Sequence, residues 1–242
     1  MARLFLIPTT LANNIDQAGT TQTSKIKHLQ YFIVETAKIA RAHLKQLGLD
    51  TPLQQLNISE LNKHSQNIEE LIKPLLDGHD VGLISDCGMP AIADPGSKIV
   101  RLVHKHQIQV CPLAGPSSLM MALMASGVNG QSFAFTGYLP IDNGERKKQI
   151  KRLEELVLKY GQSQIIIETP FRNNQLLQAL VETLSPQICI SISTNLMNEN
   201  ELVVSKSVSE WKKKLPDINK QEAVFVIGFN KNIKMVTHQT IL

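Results

Sequence analysis

The sequence predicts an α/β protein of two domains, the first built on a parallel sheet and the second on a mixed sheet. Three observations carry this. In the first half, short continuously apolar runs alternate with segments of helical spacing, and strands apolar on both faces belong to parallel sheets covered on both sides. The alternation pauses at Gly127–Gln131, which holds two glycines and no periodicity, so the expected domains are 1–127 and 128–242. Beyond that point two strands succeed one another without a helix between them, which makes an antiparallel pair and hence a mixed sheet.

The elements follow in order. Leu4–Ile7 is an apolar run stopped by Pro8, a buried strand, and 9–24 is polar and aperiodic, a loop. Tyr31–Val34 is the second strand. Ala37–Leu47 carries Ile39, Ala40, Leu44 and Leu47 at helical spacing and stops at Gly48. Gln55–Ile58 reads as a weak strand and Ile68–Leu76 as a helix kinked at Pro74. Val81–Ile84 is a buried strand, Ser97–Lys105 a helix, Ile108–Leu113 a strand, and Ser117–Ser126 a helix rich in Leu, Met and Ala. In the second half, strands are expected at Phe133–Gly137, Gln164–Glu168, Ile188–Ser193, Leu202–Val204 and Ala223–Ile227. Helices are expected at Lys147–Tyr160, Gln175–Leu184 and Ser209–Leu215.

A chain of 242 residues with 43% hydrophobic and 19% charged residues has a globular composition. No apolar run has the length of a membrane span, and Met1-Ala2-Arg3-Leu4 does not open a signal peptide, so a soluble cytoplasmic protein is expected. Cys87, Cys111 and Cys189 are odd in number, far apart and without metal-ligand spacing, which speaks against a disulfide framework and against a metal site. The net charge of +4 permits a nucleic-acid partner without requiring one. Two clusters concentrate it: Arg146, Lys147, Lys148, Lys151 and Arg152, and Lys212–Lys214. Each alone reads as a solvated helix face. His104 and His106 stand two apart on a helix, where side chains diverge, and are surface residues.

There is no G-x-G-x-x-G, Walker loop, G-x-S-x-G or H-E-x-x-H, which removes the usual signatures of dinucleotide redox, nucleotide hydrolysis, serine acyl transfer and zinc proteolysis. The segment densest in chemistry is Ser85–Gly96, twelve residues with two Asp, two Pro and two Gly, more than a short connector needs. It starts where the strand Val81–Ile84 ends, and open α/β sheets meet ligands at the carboxyl ends of their strands. Asp86 stands at that position, and Gly88 and Gly96 permit tight turns. A second junction, Leu113–Ser118, opens a helix whose free N–H groups suit a carboxylate or phosphate; Ser117 as an ordinary N-cap is an equal reading. Met120, Met121 and Met124 read as core and Cys87 as a small packing residue.

Together these junctions resemble the tetrapyrrole methylase superfamily, and within it the 16S ribosomal RNA ribose 2′-O-methyltransferase I family. The pieces are Ser85-Asp86-x-Gly88-x-Pro90-x-Ile92-x-Asp94-Pro95-Gly96, then Pro112-Leu113-x-Gly115-Pro116-Ser117-Ser118, Ser126-Gly127 and Gly137-Tyr138-Leu139-Pro140. Glu168-Thr169-Pro170-Phe171-Arg172 is similar to the family's Glu-[Ser/Thr]-x-x-Arg, and Pro8-Thr9 takes the place of its opening Pro-Thr loop.

The resemblance implies an S-adenosylmethionine-dependent methyltransferase, a homodimer, whose donor lies in a cleft between two α/β domains. By position, Pro8, Asp86, Gly88, Met89, Ile92, Ser117, Ser118, Glu168 and Thr169 would bind the cofactor. Arg146, Lys147 and Lys148, which follow Gly-Tyr-Leu-Pro, would contact RNA phosphates. Removing a ribose hydroxyl proton calls for a general base, for which Glu35 is the candidate; a first-turn acid of the next helix is its plainer role. No metal is implied. Three departures stand out. The first loop reads Pro8-Thr9-Thr10-Leu11-Ala12-Asn13-Asn14 against Pro-Thr-Pro-Ile-Gly-Asn-Leu, Val34-Glu35-Thr36-Ala37 replaces Glu-Asp-Thr-Arg, and Ile192–Leu196 replaces Arg-Glu-Leu-Thr-Lys. They fall on the acceptor side, so the readings to separate are ribosomal RNA methylation, methylation of a tetrapyrrole or other small molecule, and donor binding without turnover.

Overall fold

The computed structural model describes residues 2–11, 20–61 and 68–229, and within it the chain forms two compact units that divide at Ser117/Ser118. The altered residues Ala12, Asn13 and Asn14, like the rest of 12–19 in the expected loop, lie outside the described residues; Thr20–Lys25 forms a 3-10 turn.

The first unit is a five-stranded sheet of β1 (Arg3–Ile7), β2 (Tyr31–Val34), β3 (Asn57–Glu60), β4 (Val81–Ile84) and β5 (Gln109–Pro112), in the order β3-β2-β4-β1-β5. Every pairing is parallel, as expected. Neighbouring residues of one strand point to opposite faces, and both faces are dry. Phe5, Phe32 and Val34 pack with Ala40 and Leu44 of α1 (Ala37–Leu47) on one side. On the other, Leu4, Ile33 and Leu83 pack with Ile72, with Leu75 and with Ile99 and Val103 of α4 (Ser97–Lys105). That two-sided burial is the physical content of the continuously apolar strands. The expected helix over Ile68–Leu76 is instead two single turns, α2 (Ile68–Leu71) and α3 (Lys73–Leu76). Pro74 lacks the N–H that would reach back four residues and its ring crowds that carbonyl, so the helix breaks rather than bends. The weak strand sits two residues later than expected, because β3 is an exposed edge whose register is set by β2, Tyr31 facing Asn57 and Val34 facing Glu60.

The second unit carries β6 (Phe133–Gly137), β7 (Ser163–Ile167), β8 (Cys189–Thr194), β9 (Leu202–Ser207) and β10 (Ala223–Gly228) in the order β6-β7-β10-β8-β9. Only β6–β7 is parallel, and the successive strands β8 and β9 form the expected antiparallel pair. One face is covered by α6 (Asn143–Tyr160), α7 (Asn173–Thr183) and α8 (Val208–Trp211). The other is covered by α5 (Ser118–Ser126), whose Leu119, Ala122 and Leu123 pack on Ile165, Val224 and Val226. This is why the units divide at Ser117/Ser118 and not at Gly127. The glycines after α5 follow a helix that already belongs to the second sheet.

Helix α6 starts four residues before the expected point because the Asp142 side chain accepts from Glu145 N at 2.9 Å, an N-cap. Helix α8 ends at Trp211, so Lys212–Lys214 lie beyond a helix and not along its face. The three cysteines form no disulfide. Among the described residues no helix is long and apolar enough to cross a membrane, and no group of His, Cys, Asp and Glu is arranged to hold a metal ion.

Candidate functional site

Because the first sheet is wholly parallel, the carboxyl ends of its strands share one edge, and the loops after β1, β2, β4 and β5 emerge there. Val34 faces Ile84 as the last paired residues of β2 and β4, so the chain segments beginning at Glu35 and Ser85 leave side by side. Glu35 N donates to Ile84 O at 3.2 Å, and Asp86 N donates to the Glu35 carboxylate at 3.2 Å. Asp86 is itself engaged: Thr36 N donates to its Oδ1 at 3.0 Å and Thr36 Oγ1 to its Oδ2 at 2.7 Å. It thereby anchors the start of α1 from another loop. Asp94 completes a group of three carboxylates. Burial first, then the charges of Glu35 and Asp86, push its carboxyl up to about 6, against a hydrogen bond from Ser85 that pulls it down.

The loop carrying Asp86 and Asp94 is held in conformations that side chains avoid. Gly88 has φ +72°, suited to glycine, but Ala91 and Ala93 also sit at φ +68° and +64°. Each such residue costs about 1 kcal/mol or more, so the surroundings must enforce the shape. They do so through Thr9, whose N–H donates to Gly88 O at 2.8 Å. The Pro8 loop is in turn fitted against Gly115, where an added Cβ would stand 2.2 Å from Pro8 Cβ. Beneath, His43 of α1 is only 6% exposed; burial lowers its pKa, although a hydrogen bond with the Pro8 backbone opposes this. The loops after β1, β4 and β5 thus interlock through Pro8, Gly88 and Gly115.

The residues present fit an S-adenosylmethionine-like molecule. At the strand-end edge the loop fixed by the Pro8–Gly115 packing lies beside the half-buried carboxylates of Glu35 and Asp86. Ile92, 46% exposed on a fixed loop, and half-buried Met89 offer apolar surface for a flat ring. Cys87 is exposed, its Sγ 3.8 Å from Thr10 O, and is not the packing residue expected from the sequence.

In the second unit, Ser118 opens α5 and Ser117 immediately precedes it. Met120 and Met124 are exposed, the latter 80%, so only part of the methionine run is core. Glu168 follows β7 and is buried; its Oε1 accepts from Thr169 N at 2.7 Å and from Arg172 at 2.5 and 3.1 Å. Thr169 caps the 3-10 turn Pro170–Arg172. The Glu-Thr-x-x-Arg motif is therefore a self-neutralised turn. The basic stretch on α6 divides: Lys147 and Lys148 are exposed, Lys148 pairing with Glu145 at 2.7 Å, whereas Arg146 is 7% exposed and donates to Asn143. Arg146 faces the interior and does not present itself to phosphates, because the helix begun at the Asp142 cap includes it and its spacing from Ile150, Leu153 and Val157 puts it on the buried face. His104 and His106 are exposed, as expected.

Three residues of the site escaped the sequence reading. Asp94 was visible within the quoted motif but had no role. Thr36 and His43 are explained only by contacts with Asp86 and Pro8, although the spacing of His43 with Ala40, Leu44 and Leu47 puts it on the buried face of α1.

Comparison with known proteins shows the family of the chain. The family model for Tetrapyrrole (Corrin/Porphyrin) Methylases matches residues 28–211. The chain is 29% identical over 210 residues to "Ribosomal RNA small subunit methyltransferase I" of Bacillus subtilis, covering 87% of this chain and 69% of that one. It is 26% identical over 219 residues to the protein of the same name in Thermotoga maritima, covering 89% and 95%. The fold is shared with the crystal structure of the methyltransferase CobJ, with a TM-score of 0.64 at 14% identity over 95% of each chain. The matched span takes in β2 through α8, the carboxyl-edge loops after β2, β4 and β5 among them, so the chain belongs to the tetrapyrrole (corrin/porphyrin) methylase family and is an S-adenosylmethionine-dependent methyltransferase.

Proposed function

We propose that the acceptor is a ribose 2′-hydroxyl of small-subunit ribosomal RNA. The observation that supports this is the name shared by the relatives from Bacillus subtilis and Thermotoga maritima, which align over 87% and 89% of the chain. Pro8, Asp86, Gly88, Met89, Ile92, Ser117, Ser118, Glu168 and Thr169 are the proposed cofactor contacts, of which Glu168 acts through the turn it holds. The sulfonium donor supplies an electrophilic methyl group. The protein's part is to align the acceptor oxygen with that carbon and its leaving sulfur, since in-line geometry provides most of the acceleration. The acceptor hydroxyl would give its proton to a carboxylate at this edge. Glu35 is the proposed base, and Asp94, coupled to it, is the alternative holder of the proton. Lys147 and Lys148 are the proposed phosphate contacts. A cytoplasmic homodimer belongs to the same reading.

The test is transfer of labelled methyl from S-adenosylmethionine to purified small subunits from cells lacking this protein. Label in RNA, mapped to a ribose, is the expected result. Donor binding by calorimetry without label in RNA would move the acceptor to a tetrapyrrole or another small molecule, or leave a binding protein without turnover.

A further inference from the structure

A cavity of about 210 Å³ opens in the second unit between β8, β9 and the segment after α8, remote in sequence from the carboxyl-edge loops. Its walls are mostly apolar, Ile192, Leu202, Val204, Trp211 and Leu215 among them, and Lys206 and Lys214 also line it. The Trp211 ring is fixed by its Nε1, which donates to Ile190 O at 2.9 Å, and Lys206 Nζ lies 4.9 Å from the ring centroid. Lys212 and Lys213, exposed, stand next to Lys214. Among the described residues neither Lys206 nor Lys214 is in an ion pair. The nearby carboxylate, Glu210, is bound to Ser207 through both its N–H and its hydroxyl. Two lysines thus line an apolar slot, and two more precede Lys214 in the chain.

The ligand that satisfies both features carries a flat apolar group and a negative charge in close succession. The size narrows it: sites for drug-sized ligands run to roughly 300–1,000 Å³, so this cavity suits a single ring system. An unpaired nucleotide meets these terms, its base in the slot and the flanking phosphates on the lysines, whereas paired bases are stacked and cannot enter. An acidic peptide has the charge without the ring. We propose that this cavity docks one unpaired nucleotide of the RNA, its base against Leu202, Val204 and Leu215 and its phosphates on Lys206 and Lys214, with the buried Trp211 ring forming the floor beneath Lys206. The proposal rests on the ribosomal RNA reading and adds a second point of attachment to it.

Trp211 is the only tryptophan of the chain, so its emission reports on the cavity directly. The full chain is titrated with a single-stranded RNA of about a dozen nucleotides, and with a duplex of equal length, in about 0.1 M salt. A saturable change in emission with the single strand and none with the duplex is expected. The variant K206E/K214E should bind the single strand about tenfold more weakly and with a shallower salt dependence. For methyl transfer to small subunits it should raise KM and leave kcat, with donor affinity by calorimetry unchanged. Leu202→Glu, at an exposed wall position, should reproduce the loss. Wild-type transfer to ribosomal RNA with both variants binding RNA as the wild type does, or unchanged emission on binding, would overturn the cavity proposal while leaving the ribosomal reading standing. A wild type that neither binds the RNA nor methylates subunits would overturn both. Emission that varies with protein concentration alone, together with dissociation of a dimer by Leu202→Glu, would assign the cavity to a second copy of the chain instead.

Discussion

In the second unit Glu168, its side chain 1% exposed, is answered by the Arg172 guanidinium at 2.5 Å and by the Thr169 N–H. In the first unit Glu35, Asp86 and Asp94 share one sheet edge, and among the described residues none of the three is in an ion pair. The Arg172 pair turns a carboxylate into structure. The uncompensated group keeps its charges chemically available and is held together by a loop with two alanines in left-handed conformations. A buried acid is thus fastened by a cation in the second unit, whereas the half-buried acids of the first stand together and are held by N–H and hydroxyl donors alone.

The largest effect should come from breaking the fastening. Arg172→Met leaves Glu168 buried without its partner, which costs about 3–5 kcal/mol for a fully buried pair. The Arg172 side chain is 24% exposed, so about 2–3 kcal/mol is expected in urea unfolding. Adding Glu168→Gln should recover part of the loss, because the uncompensated charge goes with it. A cost below about 0.5 kcal/mol, or strict additivity, would mean that the turn stands without the pair and that the contrast is overstated.

A smaller and mixed effect is expected at Asp86. Its two accepted bonds from Thr36 anchor α1, so Asp86→Ala should cost about 1–2 kcal/mol. Thr36→Val removes only the hydroxyl bond. If Asp86 also holds the donor, Asp86→Ala should lower donor affinity in calorimetry while Thr36→Val leaves it. Equal affinity in the two would make Asp86 a fastening too and erase the difference between the units.

What was legible in the sequence divides along similar lines. The parallel sheet was readable because Val81–Ile84 and Tyr31–Val34 are apolar throughout, and only a sheet covered on both sides uses such strands. The antiparallel β8–β9 pair followed from two strands lacking a helix between them. The boundary did not, since α5 is apolar all round and nothing local shows which sheet it joins. Within the site, the glycine- and proline-rich segment after β4 marked the position of Asp86, because a turn of that composition is a local signal. The Thr36–Asp86 bonds span fifty residues and carry no such signal. Arg146 failed for a related reason. Its neighbours in sequence are exposed lysines, and a helix expected to begin at Lys147 leaves it out, whereas the helix begun at Asp142 places it on the face of Ile150, Leu153 and Val157.

The subtlest test concerns Asp94, whose carboxyl is pushed from 3.8 up to about 6. An acid with a raised pKa in the folded state keeps its proton where the unfolded chain has released it. Its contribution to stability is therefore most favourable below about pH 4 and declines as pH rises to about 6, above which it stays low. The full shift corresponds to about 3 kcal/mol, but Asp94 is only half-buried, and solvent screening reduces the expected change to about 1 kcal/mol. His43 acts in the opposite sense over an overlapping range. Its lowered pKa makes the folded protein gain stability as pH rises toward 6.5, so in the wild type the two contributions oppose each other. The difference between wild type and Asp94→Asn cancels the histidine and isolates the carboxyl. Urea unfolding between about pH 4 and 7.5 should show the variant gaining about 1 kcal/mol on the wild type as pH rises. Glu35→Gln should shrink that gain, because the Glu35 charge is one of the forces that raise Asp94. A difference independent of pH would show that the first unit's carboxylates are compensated after all, as Glu168 is.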